Sequence, residues 1–386
     1  MKIVIIIPTY NERPNVEKMI PLLEEEIFPK IKNHHLFILI VDDKSPDGTA
    51  DLVGEFTKKW NNIELLTGEK NGLGAAYVRG MKYAMDKMDA HAVMEFDSDF
   101  QHNPHDIPRL IHAMDEGADY VIGSRYIPGG SIPKGWGVNR KFLSVFGSLF
   151  IRIVWLNFAI HDMTSGFKLT KTTFLKKVDL DHLLSKNFAY KVEILHDIVK
   201  EKAKVSEVPI VFNEREEGKS KINVSDQFES FYVVIRLAMR DRKRFIKFLF
   251  VGGTGFILQF LTVYVAIFIG MQQSIAAMIG GEIAILWNFT ANNKWTFSDT
   301  KHIKEQGSFL RRLIKFNVAS LASIAIQGLV VHLAVQVFGE QITLFGHAFY
   351  TSFIVLIPTI LFLVIPINYV IYNRFIWKTH HLKKND

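Results

Sequence analysis

Four apolar runs in the second half of the chain restrict its fold more than any other feature. Residues 248–271 carry no charge and 274–292 carry one, Glu282. Residues 316–338 have only His332 as a titratable group, and 344–371 have His347 with two prolines, Pro358 and Pro366. Each supplies the roughly 20 apolar residues that a bilayer-crossing helix needs. A water-soluble core has little room for four such helices in series, so this half reads as an all-α membrane domain. The loops orient it. Arg240, Arg242, Lys243, Arg244 and Lys247 precede the first run, and the next link, Gln272-Gln273, is uncharged. Lys294, Lys301, Lys304, Arg311, Arg312 and Lys315 lie between the second and third runs, and only Glu340 between the third and fourth. Arg374, Lys378, Lys383 and Lys384 follow the last. Lys and Arg fall on one side each time, which predicts a multi-pass protein of the cell membrane with both ends and the middle loop in the cytoplasm. The same pattern accounts for the excess of 46 basic over 39 acidic residues, net +7, without a nucleic-acid partner. The absence of cysteine removes disulfides, thiolate metal sites and a cysteine nucleophile.

The first half alternates short apolar runs with amphipathic ones. Strands are expected at residues 3–7, 36–41, 63–67, 92–96 and 120–123, and helices at 15–27, 49–59, 73–88 and 108–116. That order predicts a Rossmann-like α/β fold with a mostly parallel sheet. Ligands of such sheets gather at the carboxyl ends of the strands, which here carry residues 8–12, Asp42-Asp43, Asp97-Ser98-Asp99 and Ser124-Arg125. Pro46-Asp47-Gly48 with Thr49 reads as a bend and a helix cap. That turn leaves the adjacent acids unexplained. The DxD acids, with Gln101 two residues on, can share a divalent cation and a diphosphate bound to it. Mg²⁺ or Mn²⁺, with Ca²⁺ a further candidate, prefers such oxygen ligands.

Residues 142–158 and 228–239 are apolar but broken by polar groups. Both read equally as helices lying on a membrane surface and as ordinary core helices. Arg140 and Ser144 are four apart, hence on one helix face, where a guanidinium and a hydroxyl could receive a lipid phosphate; an arginine that snorkels to the membrane surface reads equally well. Residues 214–221 are charged, contain glycine and lack periodicity, as in a plain solvated loop or a lid. Glu282, inside an apolar run, is a functional candidate.

The segments PTYNERPN, VDDKSPDGTA, GLGAAYVRGMKYA, DSDFQHNP and GSRYIPGGS closely resemble dolichyl-phosphate mannose synthases, inverting family-2 glycosyltransferases of the GT-A fold. The resemblance covers about residues 1–225. KFLFVGGTGF and WNFTANNKWTF resemble a GtrA-like four-helix membrane domain. The implied organisation is a GT-A catalytic domain at 1–225, an interfacial helix and linker at 226–244, a transmembrane domain at 245–378 and a cytoplasmic tail at 379–386. The resemblance implies that Pro8, Tyr10, Glu12, Val41 and Asp43 hold guanosine. It implies that Asp97, Ser98 and Asp99 contact ribose and diphosphate, with Asp99 and Gln101 as metal ligands. Arg125 would face the donor phosphates or sugar, and Lys191, Arg215 and Lys221 would close over the diphosphate from a mobile loop. Ser98 stands where mannose synthases often have Ala. The segment from Asp162 to Phe167 matches the family without an assigned role. The implied reaction moves mannose from GDP-mannose to dolichyl phosphate at the bilayer, with Asp99, Arg125, Arg140 and Ser144 nearest the chemistry. A polyprenyl-phosphate glucosyltransferase and a lipid-linked sugar flippase are the alternatives.

Overall fold

The computed structural model describes residues 1–214, 224–300, 307–344 and 347–379. It forms two compact units, Met1–Ala238 and Met239–Asp386.

The first unit begins with strand β1 (Lys2–Thr9), helix α1 (Arg13–Pro21), β2 (His35–Asp42), α2 (Thr49–Lys59), β3 (Ile63–Thr67), α3 (Leu73–Asp86), β4 (Ala92–Glu95), α4 (Ile107–Asp115) and β5 (Tyr120–Ser124). It continues with α5 (Val138–Trp155), β6 (Lys168–Lys171), α6 (Thr172–Leu175), α7 (Tyr190–Lys200), β7 (Val205–Pro209) and α8 (Val224–Asp241). Seven strands form one sheet in the order β3-β2-β1-β4-β6-β5-β7. β6 alone among them runs antiparallel to its neighbours, inserted between β4 and β5. β1 and most of β2 are near-continuous apolar runs because both faces of the sheet are covered there. Ile3, Ile5 and Ile7 pack toward α1, α2 and α4, while Val4 and Ile6 pack toward α3 and α7, following the alternation of a pleated strand. Gly80 lets α3 lie close to the sheet: a Cβ there would come within 2.7 Å of Ile6 and 2.9 Å of Val41.

α5 and α8 each have a face in a core and an apolar face outside. Phe150 packs edge-on against Phe231 with centroids 4.8 Å apart, and the Trp155 indole N–H donates to the Val234 carbonyl at 3.3 Å. Phe142, Phe146, Leu149, Ile153, Phe228 and Tyr232 remain exposed. An apolar patch of that kind marks a protein or membrane contact.

The second unit contains α9 (Lys243–Phe268), α10 (Gln273–Ala291), α11 (Phe309–Phe338), a hairpin of β8 (Gln341–Leu344) and β9 (His347–Tyr350), α12 (Thr351–Thr359) and α13 (Ile365–Ile371). α9 and α11 are long and apolar enough to cross a membrane, and most of their apolar side chains are exposed, the reverse of a soluble core helix. The core is aromatic: Phe289, Phe297, Phe316, Tyr372 and Trp377, with Phe297 stacked on Trp377 at 4.2 Å. The fourth apolar run departs from expectation. Its first residues pair as the hairpin, and helix starts at Thr351, whose hydroxyl donates to the Gly339 carbonyl at 2.5 Å. Ile342, Thr343, Phe349 and Tyr350 favour strands. Pro358 then removes a backbone donor, and a π-turn at Ile360–Val364 separates α12 from α13. Glu282 lies midway along α10 and is exposed.

Candidate active site

The ends of β2, β1 and β4 lie side by side and bring together the acids singled out in the sequence. The two members of the first pair do different things. Asp42 is fully buried and accepts from the Thr9 hydroxyl at 2.9 Å, the Ser45 amide at 2.8 Å and the Ser45 hydroxyl at 2.6 Å. It ties the turn together. Asp43 instead takes a charge-assisted bond from Arg79 of α3 at 2.5 Å. Burial pushes the Asp43 carboxyl upward, and Arg79 only partly offsets this. The cap of α2 is also corrected: Gly48, at φ 77, is the N-cap residue. The Asp47 carboxylate accepts from the Thr49 amide at 3.1 Å and hydroxyl at 2.6 Å.

Around these acids, Pro8 is the penultimate residue of β1 and Val41 is buried in β2. Tyr10 lies under the Lys70 ammonium, 3.4 Å from its ring centre. The Glu12 carboxylate accepts from the Asn15 amide group at 2.7 Å.

Beyond β4 the chain turns sharply at Phe100, φ 58. Asp97 accepts from the Tyr77 hydroxyl at 2.8 Å. Ser98, Asp99 and Gln101 are buried. Asp99 Oδ1 accepts from the Gln101 amide at 3.1 Å, and the Gln101 carbonyl accepts from the Asn213 amide at 2.8 Å. Asp99 and Gln101 are thus held on one short turn. Among the described residues no group of three His, Asp or Glu is placed for a metal. A cation here would rest on the oxygens of Asp99 and Gln101 and on those of its ligand, a hard donor set that suits Mg²⁺ or Mn²⁺.

Lys191 is not on a loop. It occupies the first turn of α7 and is buried. Its ammonium reaches a notch at Gly166: a Cβ on that glycine would lie 3.0 Å from Lys191 Nζ, 3.3 Å from Asp97 Oδ2 and 3.4 Å from His102 Nε2. Burial pulls His102 down to about 4, so at neutral pH it is uncharged, packed between Phe167 and Phe212. Arg215 and Lys221 lie outside the described residues. So does most of the lid segment, whose first residue, Glu214, accepts from the Gly135 amide at 3.0 Å.

Arg125, expected to face the donor, has its fork committed elsewhere. Its Nε and Nη2 donate to the two Asp162 oxygens at 2.7 and 2.8 Å, its amide donates to Asp162 at 3.0 Å, and Nη2 also reaches the Thr164 hydroxyl at 2.9 Å. Both side chains are at least nine-tenths buried. Burial alone would raise Asp162, but Arg125 holds it below the usual carboxylate range. On α5, Ser144 shares a 2.5 Å hydrogen bond with the Tyr126 hydroxyl. Arg140 is exposed, its guanidinium 3.9 Å from the centre of the Trp136 ring. The face that carries both is therefore tied to the end of β5.

Sequence reasoning missed Arg79, Tyr77, Glu95, Lys168 and Tyr190, and singled out the segment that holds Asp162 and Gly166 without giving it a role. The available signal was a charge inside an apolar strand, as at Glu95 in AVMEF, and the unassigned segment from Asp162 to Phe167.

Comparison with known proteins agrees with this geometry. The glycosyl transferase family 2 domain matches residues 4–179, and the GtrA/DPMS transmembrane domain matches residues 247–377. The chain is 34% identical over 337 residues to the dolichol-phosphate mannosyltransferase of Pyrococcus furiosus, covering 86% of this chain and 90% of that one. It is 36% identical to the polyprenol monophosphomannose synthase of Mycolicibacterium smegmatis, over 62% of this chain and 87% of the relative. It is 35% identical to the undecaprenyl-phosphate mannosyltransferase of Micrococcus luteus, over 63% and 96%. A mostly parallel sheet with its acids at the strand ends, followed by a membrane domain, and a relative matched along nearly its whole length lead to one assignment: the chain belongs to the dolichol-phosphate mannosyltransferase family and is a family 2 glycosyltransferase.

Proposed function

We propose that the protein transfers mannose from GDP-mannose to dolichyl or another polyprenyl phosphate, with inversion, releasing GDP at the cytoplasmic face of a membrane. The placement of Asp43 beyond β2 and of Asp97 and Asp99 beyond β4, the two strands that flank β1, supports this reading most, together with the mannosyltransferase relatives. Pro8, Tyr10, Glu12, Val41 and Asp43 take the guanosine. Asp97, Ser98 and Lys191 take the ribose and diphosphate, with Arg215 and Lys221 as further donor contacts. Arg125, anchored by Asp162, borders the donor sugar. A divalent cation on Asp99 and Gln101 supplies neutralisation of the charge that develops on the leaving diphosphate. Arg140 and Ser144 receive the lipid phosphate at the edge of α5. A phosphate monoester loses its second proton at about pH 6, so near pH 7 the acceptor is already largely a dianion. It needs guidance by cations, and a general base would add little.

A donor screen with purified full-length protein, Mn²⁺ and a short polyprenyl phosphate tests the reaction. GDP-mannose should be turned over in strong preference to UDP-glucose and GDP-glucose, giving a β-linked product. Arg140→Ala should raise the KM for the lipid with donor affinity unchanged. Preference for a glucosyl donor, or equal loss of donor affinity in Arg140→Ala, would overturn the respective assignment.

For the membrane domain we propose four spans, built on α9, α10, α11 and the α12–α13 segment, with the catalytic domain and C-terminus cytoplasmic. Reporter tags at Gln272 and Glu340 should then be extracellular, and tags at Lys304 and the C-terminus cytoplasmic. A tag on the wrong side would break this topology.

A further inference from the structure

Behind the strand ends lies a buried charged network that the proposed chemistry does not use. Glu95 of β4 and Lys168 of β6 are directly opposite in the antiparallel ladder, and both are essentially inaccessible to solvent. Each grips the first turn of α7. Glu95 Oε2 accepts from the Tyr190 hydroxyl at 2.6 Å, and Lys168 Nζ donates to the Lys191 carbonyl at 2.8 Å. The Tyr190 ring stacks on Tyr77 with centroids 5.5 Å apart, and the Tyr77 hydroxyl donates to Asp97 at 2.8 Å. The two arms therefore end on Asp97 and Lys191, the groups that face each other across the Gly166 notch.

This arrangement is a poor way to gain stability. Buried charges carry a large desolvation cost, and apolar residues of similar volume often serve folding as well or better. The other Glu95 oxygen and the Tyr120 hydroxyl are buried without a hydrogen-bond partner, a further cost. Lys168 and Lys191 also put two positive groups at the N-terminal end of α7, where the helix dipole disfavours cations. Burial lowers Lys168 to about 8, with Glu95 opposing the fall and Lys191 adding to it. What the arrangement does provide is a rigid, positively charged helix start beside a carboxylate. An anionic ligand gains from that end of a helix.

We infer that Lys168, Glu95 and Tyr190 are positioning residues for the nucleotide diphosphate: they fix the first turn of α7 so that Lys191 and Asp97 meet the donor in register. This rests on the donor site proposed above and deepens it.

The test uses full-length protein in nanodiscs, with GDP and Mn²⁺ as the binding probe in calorimetry and GDP-mannose turnover in parallel. Tyr190→Phe removes one hydroxyl and keeps the ring stack. Lys168→Met removes the charge, and Glu95→Gln with Lys168→Met removes both. A charge-assisted hydrogen bond to the diphosphate is worth on the order of ten- to a hundredfold in affinity, so GDP affinity should fall by about that much in Tyr190→Phe and in Lys168→Met. The KM for lipid phosphate should stay unchanged. Lys168→Arg should recover part of the loss. The double variant should regain the melting temperature lost by Lys168→Met without regaining GDP affinity. Unchanged GDP affinity in Tyr190→Phe, or affinity that returns in step with melting in the double variant, would reduce the network to a structural one. If Lys168→Met fails to fold, Tyr190→Phe decides. Lys191→Ala separates the two levels. Intact GDP binding there removes the donor-site reading and this inference with it, whereas loss there but not in Tyr190→Phe and Lys168→Met removes the inference alone.

Discussion

Replacing Asp99 with alanine should abolish sugar transfer while leaving the fold intact. The carboxylate lies on the turn beyond β4 and accepts from the Gln101 amide, a hydrogen bond worth about 1 kcal/mol, and truncating it opens little space. Its chemical cost is far larger. A metal that stabilises developing charge contributes several kcal/mol. At about 1.4 kcal/mol per factor of ten, turnover should fall about 1,000-fold or more. Chelation of the unaltered enzyme should do the same, and added Mn²⁺ or Mg²⁺ should restore it. Melting of the variant within a few degrees of the parent, with rates at background, is the expected result. Full turnover in excess EDTA would remove the cation from the mechanism.

A second large effect is expected at Asp162, for a different reason. Its carboxylate meets Arg125 in a buried two-point pair and accepts the Arg125 amide as well. Asp162→Ala leaves a guanidinium buried with nothing to balance it, which typically costs about 3–5 kcal/mol. Domains are commonly stable by only about 5–15 kcal/mol, so the variant should melt far earlier than the parent. Asp162→Asn, which keeps the shape and one acceptor, should be milder. Activity should fall in step with folded protein. A variant that melts normally yet has lost turnover by about 10²–10⁴-fold would instead make Asp162 a general base, and the base-free attack by the lipid phosphate would be wrong. Thermal melts and single-turnover rates on the same preparations separate the two outcomes.

The strand-end acids were legible in sequence because a carboxylate after an apolar strand has few structural reasons to exist. Asp42 shows the limit of that logic: its neighbour in the chain faces Arg79, while it is spent on Thr9 and Ser45. Sequence places two acids at a strand end without saying which one the turn consumes. β6 and α7 were missed because KLTK is short and without an apolar period, and its place between β4 and β5 is a tertiary choice. Arg125 was legible as important but not as half of an ion pair, since Asp162 lies far along the chain. The hairpin before α12 was hidden by hydropathy, which scores Ile, Phe and Tyr alike whether they pair as strands or coil as helix.

The position of β6 also bears on how the protein is made. β4 and β5 are synthesised well before it, and neither pairs with the other in the finished sheet. Until Lys168–Lys171 arrives, each presents an open edge of unpaired backbone groups, the surface on which strands of different chains join. The chain that emerges in the interval includes α5, much of whose apolar face stays exposed among the described residues. At about 5–20 residues per second, translation holds that state open for seconds. The nascent chain is most exposed to aggregation in that interval, before any membrane span has been made. The sheet then closes with β7, upstream of α9, so the catalytic domain can be complete before insertion into the bilayer begins.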